Sequence, residues 1–375
     1  MKIRPVYFLG IFIPVAVALE IAHASPVIVF VAAAMGVIPT AALMGEATEH
    51  LAARSGPGIG GLLNVTFGNA PELIIALFAL NAGLQEVVKA SIAGSILGNI
   101  LLVLGAAMLV GGWNREKQTF NATAAHAQAA MLLLALLALI LPALFELING
   151  GGLPKVTEEG AGFAESCGGI GSENCDDLKT MSLIVAFILI GSYVAGLVFS
   201  LKTHKSLFNP YTEEEDDEEH GETWSTKRAL ISLAVAGLLV GLMSEVLVGS
   251  IEAASKDIGI SQFFVGIFVV AIVGNAAEHW VAVLVAAKNK MDLAVNIAVG
   301  SSAQIALFIA PLLVLASFVI GPEAMPLVFN GYEIGAMIFA VLIANFLTQD
   351  GESNWFEGVQ LLAVYAVMGV VFYFA

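Results

Sequence analysis

Apolar stretches of about twenty residues follow one another along almost the whole chain, separated mostly by short polar or glycine-containing joints. A helix needs about 20 largely apolar residues to cross a bilayer. The pattern lays out eleven spans, at about 5–23, 26–53, 58–82, 86–112, 122–148, 179–202, 226–254, 261–288, 292–320, 326–348 and 354–375. Two joints are long. One, 149–178, is rich in glycine and acids and carries both cysteines; the other, 203–225, carries the acidic run Glu213 to Glu219, with Glu222 beyond it. The predicted fold is an all-α polytopic membrane protein, because irregular backbone facing lipid would leave its polar groups unbonded. Met1-Lys2-Ile3-Arg4 and Ala22-His23-Ala24 are also what a cleaved signal would show. The first stretch is long for that role and Glu20 sits beside the cut, so it is read as a retained helix.

Composition agrees with this layout. The chain is 58% hydrophobic and only 12% charged, about half the charged fraction of an ordinary soluble domain, and its mean hydropathy is +0.90. The net charge of −16 owes much to the single acidic run, and no basic patch is present, which excludes a nucleic-acid partner. With the N-terminus in the cytoplasm, alternation of the spans places eleven basic residues inside and four (Lys89, Lys155, Lys179, Lys256) outside, which accounts for all 15. That is the sign of the positive-inside rule. The acidic run is then cytoplasmic, either a solvated linker or a cation-attracting segment. Cys167 and Cys175 fall on the oxidising side, where a disulfide would staple a surface loop without touching transport.

Two motifs stand out inside these spans. Gly68-Asn69-Ala70-Pro71-Glu72 lies in span 3 and Gly274-Asn275-Ala276-Ala277-Glu278 in span 8; adding 206 to the first numbering gives the second. The same offset carries Gly94-Ser95 onto Gly300-Ser301, and Thr48-Glu49 with Gly56 matches Ile251-Glu252 with Gly259 after a three-residue length change. The chain is therefore read as an extra N-terminal helix (1–25), a first five-helix repeat (26–202), the acidic segment (203–225) and a second five-helix repeat (226–375). Span 3 runs inside to outside and span 8 the other way, so the repeats are inverted, a plan shared by many secondary transporters.

A carboxylate at membrane depth is costly and marks an ion or proton path. Glu72 or Glu278 alone could be a structural acid paired with a neighbour, but neither span offers a Lys or Arg near its depth. Pro71 removes a backbone donor, which inside a membrane is tolerated where the backbone lines a cavity. Ser91, Ser95 and Asn99 add a polar stripe to span 4, and Ser301 with Gln304 adds one to span 9, while Gly94 and Gly98 predict close helix approach. Glu49, Glu245 and Glu252 either extend the ion path or sit solvated near span ends. His50 and His279 each follow a repeat glutamate and are structural or, for His279, a modulator of the adjacent acid. Ca²⁺ wants about six to eight oxygens. Two glutamates, helix-break carbonyls, side chains such as Gln304 and waters could supply them. No Cys or His cluster points to zinc or copper. The same acids can carry protons and titrate as a coupled pair.

Together with Ala47-Thr48-Glu49, Gly94-Ser95-Ile96-Leu97-Gly98-Asn99, Met243-Ser244-Glu245 and Gly300-Ser301-Ser302-Ala303-Gln304, these motifs resemble the signature repeats of calcium/proton exchangers in the calcium/cation antiporter superfamily. The resemblance implies eleven helices, alternating access, Glu72 and Glu278 as shared carriers of Ca²⁺ and H⁺, and coordination helped by the backbone of spans 3 and 8 and by Gln304. Ca²⁺ and H⁺ are then transported ions rather than cofactors and no enzyme activity is expected, while short loops and the lack of a long regulatory N-terminus suggest a prokaryotic inner membrane or, in a eukaryote, a vacuolar one. Sodium/calcium exchangers usually have Ser or Thr where Asn69 and Asn275 stand. Sodium-driven exchange, a cation channel and an intramembrane carboxylate protease are the competing readings. The site expected is thus Glu72, Glu278, Gly68, Asn69, Gly274, Asn275, Gln304, Ser95, Ser301, Glu49 and Glu252.

Overall fold

The computed structural model describes residues 5–149, 153, 154, 156, 175–203 and 224–375, less the side chains of 56–59, 61 and 65. The acidic run, Cys167 and most of the 149–178 joint lie outside the described residues; Cys175 is disulfide-bonded. Eight described helices are long and apolar enough to cross a membrane, a bent pair makes a ninth span, and two shorter apolar helices bring the total to the eleven expected. They are α1 (Pro5–Ile21), α2 (Pro26–Arg54), α3a and α3b (Gly56–Gly68 and Ala70–Asn81), α4 (Gln85–Gly112), α5 (Ala122–Ile148), α6 (Cys175–Thr203), α7 (Thr226–Ile258), α8 (Gln262–Ala287), α9 (Met291–Ser317), α10 (Gly331–Leu347) and α11 (Trp355–Tyr373).

Polar caps mark where the spans begin. Asn121, Ser225, Asn330 and Asn354 each accept a backbone N–H at the start of α5, α7, α10 and α11, and the last two form capping boxes with Glu333 and Glu357. Gly259 closes α7 at φ 79°, where any side chain would be strained. The most apolar windows of α4 and α9 are 83% and 78% buried and form the centre, while those of α6 and α11 are 22% and 17% buried, so these two helices face the surroundings. The central packing depends on small residues. A methyl group added at Gly94 would lie 2.0 Å from the Ile267 carbonyl oxygen, and one at Gly266 would lie 2.8 Å from the Val87 oxygen, so α4 and α8 touch backbone to backbone. Gly98, the other expected small residue, has only the His279 ring within reach, at 3.9 Å.

The joints sort into two ends, as alternating spans require. At one end the α4–α5 joint pairs with the α10–α11 joint through β1 (Gln118–Thr119) and β2 (Glu352–Ser353). There Gln118 Nε2 donates to Ala286 O at 3.0 Å and Arg115 to Ala287 O at 3.2 Å. At the other end Gln85 Nε2 donates to Glu323 O at 2.8 Å and Lys89 Nζ to Val328 O at 2.9 Å. Arg115, Lys117, Lys288 and Lys290 thus gather at one end, the one the positive-inside rule predicts to be cytoplasmic. Lys89, counted by sequence as a flanking charge of the opposite end, is instead buried, 2% exposed, beside Glu333 and Glu86.

Candidate ion-binding site

Span 3 breaks at its motif. Gly68 ends α3a, Asn69 takes φ −92° and ψ 15°, and Ala70 starts α3b, with a bend of 43° between the two pieces. Pro71 is the second residue of α3b. At a helix start its missing N–H would have had no partner in any case, so Pro71 opens the second half-helix rather than freeing a carbonyl within a continuous one. In span 3, Gly68, Asn69 and Glu72 therefore straddle the break instead of lining one face of a continuous helix. The second motif lies in an unbroken stretch of α8, just after a π-helical segment, Val265–Val270. Further π segments occupy Gly98–Val103 of α4 and Asn296–Gly300 and Ile305–Ile309 of α9. Such segments often mark functional positions.

The two motifs meet. Glu72 accepts from Ser95 Oγ at 2.7 Å and from the amide of Asn275. Asn275 Nδ2 also lies 3.0 Å from Ser95 Oγ and 2.9 Å from Ala271 O. Glu278 faces the same kind of partner. Ser301 Oγ is 3.0 Å from Glu278 Oε2 and 2.9 Å from Asn69 Oδ1, and its single proton serves one of them at a time. Asn69 Nδ2 donates to Gln304 Oε1 at 2.8 Å. Each glutamate thus meets the serine of its own repeat, 23 residues on, and that serine meets the asparagine of the other repeat.

The glycines complete this exchange. A methyl at Gly274 would lie 3.0 Å from Glu72 Cγ, and one at Gly68 would lie 3.2 Å from Glu278 Oε1. Each glutamate therefore packs over the glycine four residues ahead of its counterpart. The two carboxylates lie within electrostatic reach of each other. Among the described residues no Lys or Arg pairs with either. Glu72 Oε2 and Asn275 Oδ1 are buried and receive no hydrogen bond. Unsatisfied buried oxygens beside a second carboxylate suit a hard cation. Among the described residues no group of three or more His, Cys, Asp or Glu side chains offers a metal cage, so the donors here are two acids, amides and hydroxyls.

The structure thus brings together Gly68, Asn69, Glu72, Ser95, Gly274, Asn275, Glu278, Ser301 and Gln304. Glu49 and Glu252 are exposed on α2 and α7, outside this hydrogen-bonded cluster, as is Glu245. Ser91 turns its hydroxyl back to Val88 O at 2.8 Å. Asn99 is fully buried, and its amide makes no hydrogen bond. His279 has its Nε2 buried and unbonded. His50 stacks on Trp224, with ring centroids 4.6 Å apart, and Arg228 lies over the same Trp224 ring at 4.3 Å. Sequence reasoning missed Gln128 and Asn296, which join α5 to α9 beside Gly300. The only signal for them was an amide interrupting an apolar span.

Comparison with known proteins places the chain in a family. The family described as sodium/calcium exchanger protein matches residues 25–202 and 228–374. A Ca(2+)/H(+) antiporter of Aphanothece halophytica is 42% identical over 97% of this chain and 95% of its own length. The Ca(2+)/H(+) antiporter ChaA of Bacillus subtilis (strain 168) is 42% identical, with 96% of each chain covered. The solved structure of native YfkE superposes with a TM-score of 0.80 at 39% identity, covering 99% of this chain and 100% of that one. The chain is an integral membrane protein belonging to the sodium/calcium exchanger protein family.

Proposed function

We propose that the chain is a secondary active antiporter that exchanges Ca²⁺ for H⁺ by alternating access, with Glu72 and Glu278 holding either the metal ion or protons. The observation that carries this reading is the reciprocal meeting of two acids from opposite repeats with no basic residue to balance them among the described residues. Two adjacent carboxylates in a low-dielectric site need a positive partner. A divalent cation supplies it by taking the carboxylate oxygens together with Asn275 Oδ1, Asn69 Oδ1 and Gln304 Oε1. Protons supply it by converting each acid into a hydroxyl donor. The two occupants exclude each other because they use the same oxygens. Exchange follows when the site reorients only while filled.

Gly68 and Gly274 let the acids approach, Ser95 and Ser301 fix their orientation, and Asn69 and Asn275 couple each half of the site to the other. Glu49 and Glu252 are proposed only as part of the approach to the site, since they lie outside the cluster. A bacterial inner membrane is the location proposed, by analogy with the relative from Bacillus subtilis. The test is Ca²⁺ uptake into proteoliposomes with internal pH recorded. Wild type should collapse an imposed pH gradient on adding Ca²⁺, and Glu72→Gln and Glu278→Gln should each abolish both fluxes. Uptake that follows a sodium gradient without proton movement would replace this reading.

A further inference from the structure

The two repeats are not equivalent along the approach to the carboxylates. On the side that carries Arg115, Lys117, Lys288 and Lys290, α5 and α9 are joined by a ladder of polar contacts. Asn121 N donates to Asp292 Oδ1 at 2.5 Å, and seven residues further along α5 Gln128 Nε2 donates to Asn296 Oδ1 at 2.5 Å. Gln128 Oε1 is buried and accepts no hydrogen bond. It points toward Gly300: a methyl there would lie 3.4 Å from Gln128 Oε1 and 3.3 Å from Asn296 Oδ1. Ser301, which holds Glu278, is the next residue. Ser301 stands five positions after Asn296, just past the π-helical segment.

On the opposite side the equivalent helices α4 and α10 carry charges instead, Lys89 beside Glu86 and Glu333, and no amide pair stands at the matching positions. The repeat offset puts Ala90 where Asn296 stands, and counting from the equivalent helix caps, Asn121 and Asn330, puts Met337 opposite Gln128. Ala90 and Met337 are both fully buried. The equivalent stretch of α4 is ordinary α-helix, whereas Asn296–Gly300 is π-helical. Asn296 is also exposed although it lies within a membrane-crossing helix. An amide facing lipid would pay for its lost hydrogen bonds, so this face of α9 is read as lining water that reaches in from the cytoplasmic end.

We propose that Gln128 and Asn296 form a second, one-sided oxygen site on the cytoplasmic approach, where a divalent cation exchanges part of its water shell for the two amide oxygens before it reaches Glu278. The proposal rests on the exchange reading above. In this state the Gln128 Nε2–Asn296 bond occupies Asn296 Oδ1, while Gln128 Oε1 remains open; an arriving cation takes both oxygens once that bond gives way. The residues give the cation oxygen ligands without adding charge, so they speed its passage without trapping it.

The experiment measures Ca²⁺-driven proton flux in vesicles of both orientations, everted and right-side-out, with Ca²⁺ added outside. Gln128→Met and Asn296→Leu keep the side-chain size and remove the oxygens. Each should raise the KM for Ca²⁺ offered at the cytoplasmic face by about three- to tenfold, the scale of one lost polar contact. The KM at the opposite face should stay at the wild-type value, and Gln128→Glu, which keeps the oxygen, should not weaken binding. An unchanged cytoplasmic KM, or an equal rise at both faces, overturns the proposal. Should Gln128→Met fail to reach the membrane, Asn296→Leu decides alone. Absence of proton-coupled Ca²⁺ flux in the wild type is read in the same assay and defeats the exchange reading instead.

Discussion

Replacing single glycines should separate the residues that hold the helices from those that shape the site. At Gly94 the added methyl lies 2.0 Å from Ile267 O, 2.7 Å from its carbonyl carbon and 2.8 Å from its Cα. Carbon contacts become comfortable at about 3.5 Å, so α4 and α8 would have to part by roughly 1.5 Å. All three atoms are backbone and cannot rotate away. The cost belongs at or beyond the upper end of the overpacking range, about 3 kcal/mol. At Gly68 the methyl meets one atom, Glu278 Oε1, at 3.2 Å. That oxygen ends a flexible side chain and gives by a few tenths of an ångström. The fold survives, but the carboxylate leaves its place, and a loss of about 1.4 kcal/mol in Ca²⁺ binding, tenfold in Kd, is expected. Thermal melting of the purified protein in detergent and calorimetric titration with Ca²⁺ read the two effects separately. Gly94→Ala should melt well below wild type, and Gly68→Ala should melt close to wild type without Ca²⁺ while binding the ion more weakly. A Gly94→Ala protein as stable as wild type, or a Gly68→Ala protein that loses stability but keeps its affinity, would refute the reasoning.

Two further outcomes follow from the same contacts. Lys89→Met leaves buried Glu333 beside Glu86 without its nearby cation and should destabilise the protein by about 3–5 kcal/mol. Adding Glu333→Gln should recover much of that loss, as measured by melting of the single and double variants. Ca²⁺ at a hundred times its Kd should raise wild-type stability by about 2.7 kcal/mol. Glu72→Gln should show no such gain in a thermal-shift titration.

The eleven spans were legible because a helix that crosses lipid must be apolar along its length, and the interrupting joints could be counted. The duplication was legible because the motif residues recur at one offset. What stayed hidden was geometry. Asn69 and Gln304 are separated by 235 residues, and nothing local to either announces their bond. The π segments leave no residue signature, since they change only the register of backbone hydrogen bonds. Lys89 read as a charge flanking a span, yet a partner helix and the Val328 carbonyl bury it. Glu49 and Glu252 also matched across the repeats, after a three-residue length change, but α2 and α7 leave them exposed. Sequence symmetry fixes which positions correspond, not which way their side chains turn.

The spacing inside the motif makes sense only for two copies facing each other. Within one helix, a glycine four residues before a glutamate is unremarkable. Across the repeat interface it is the seat for the other glutamate: Glu72 sits over Gly274 and Glu278 over Gly68. Any residue larger than glycine at either seat would push away the opposite acid rather than its own. The break in span 3 and the continuous α8 give the two acids different helical supports, and still each acid meets its own serine and each serine the asparagine of the other repeat; only Asn275 also bonds an acid directly, Glu72. The glutamate–serine links stay within a repeat and the serine–asparagine links cross to the other, so each half of the cluster draws on both repeats. A chain carrying one motif would present a lone carboxylate with no seat and no opposing oxygen.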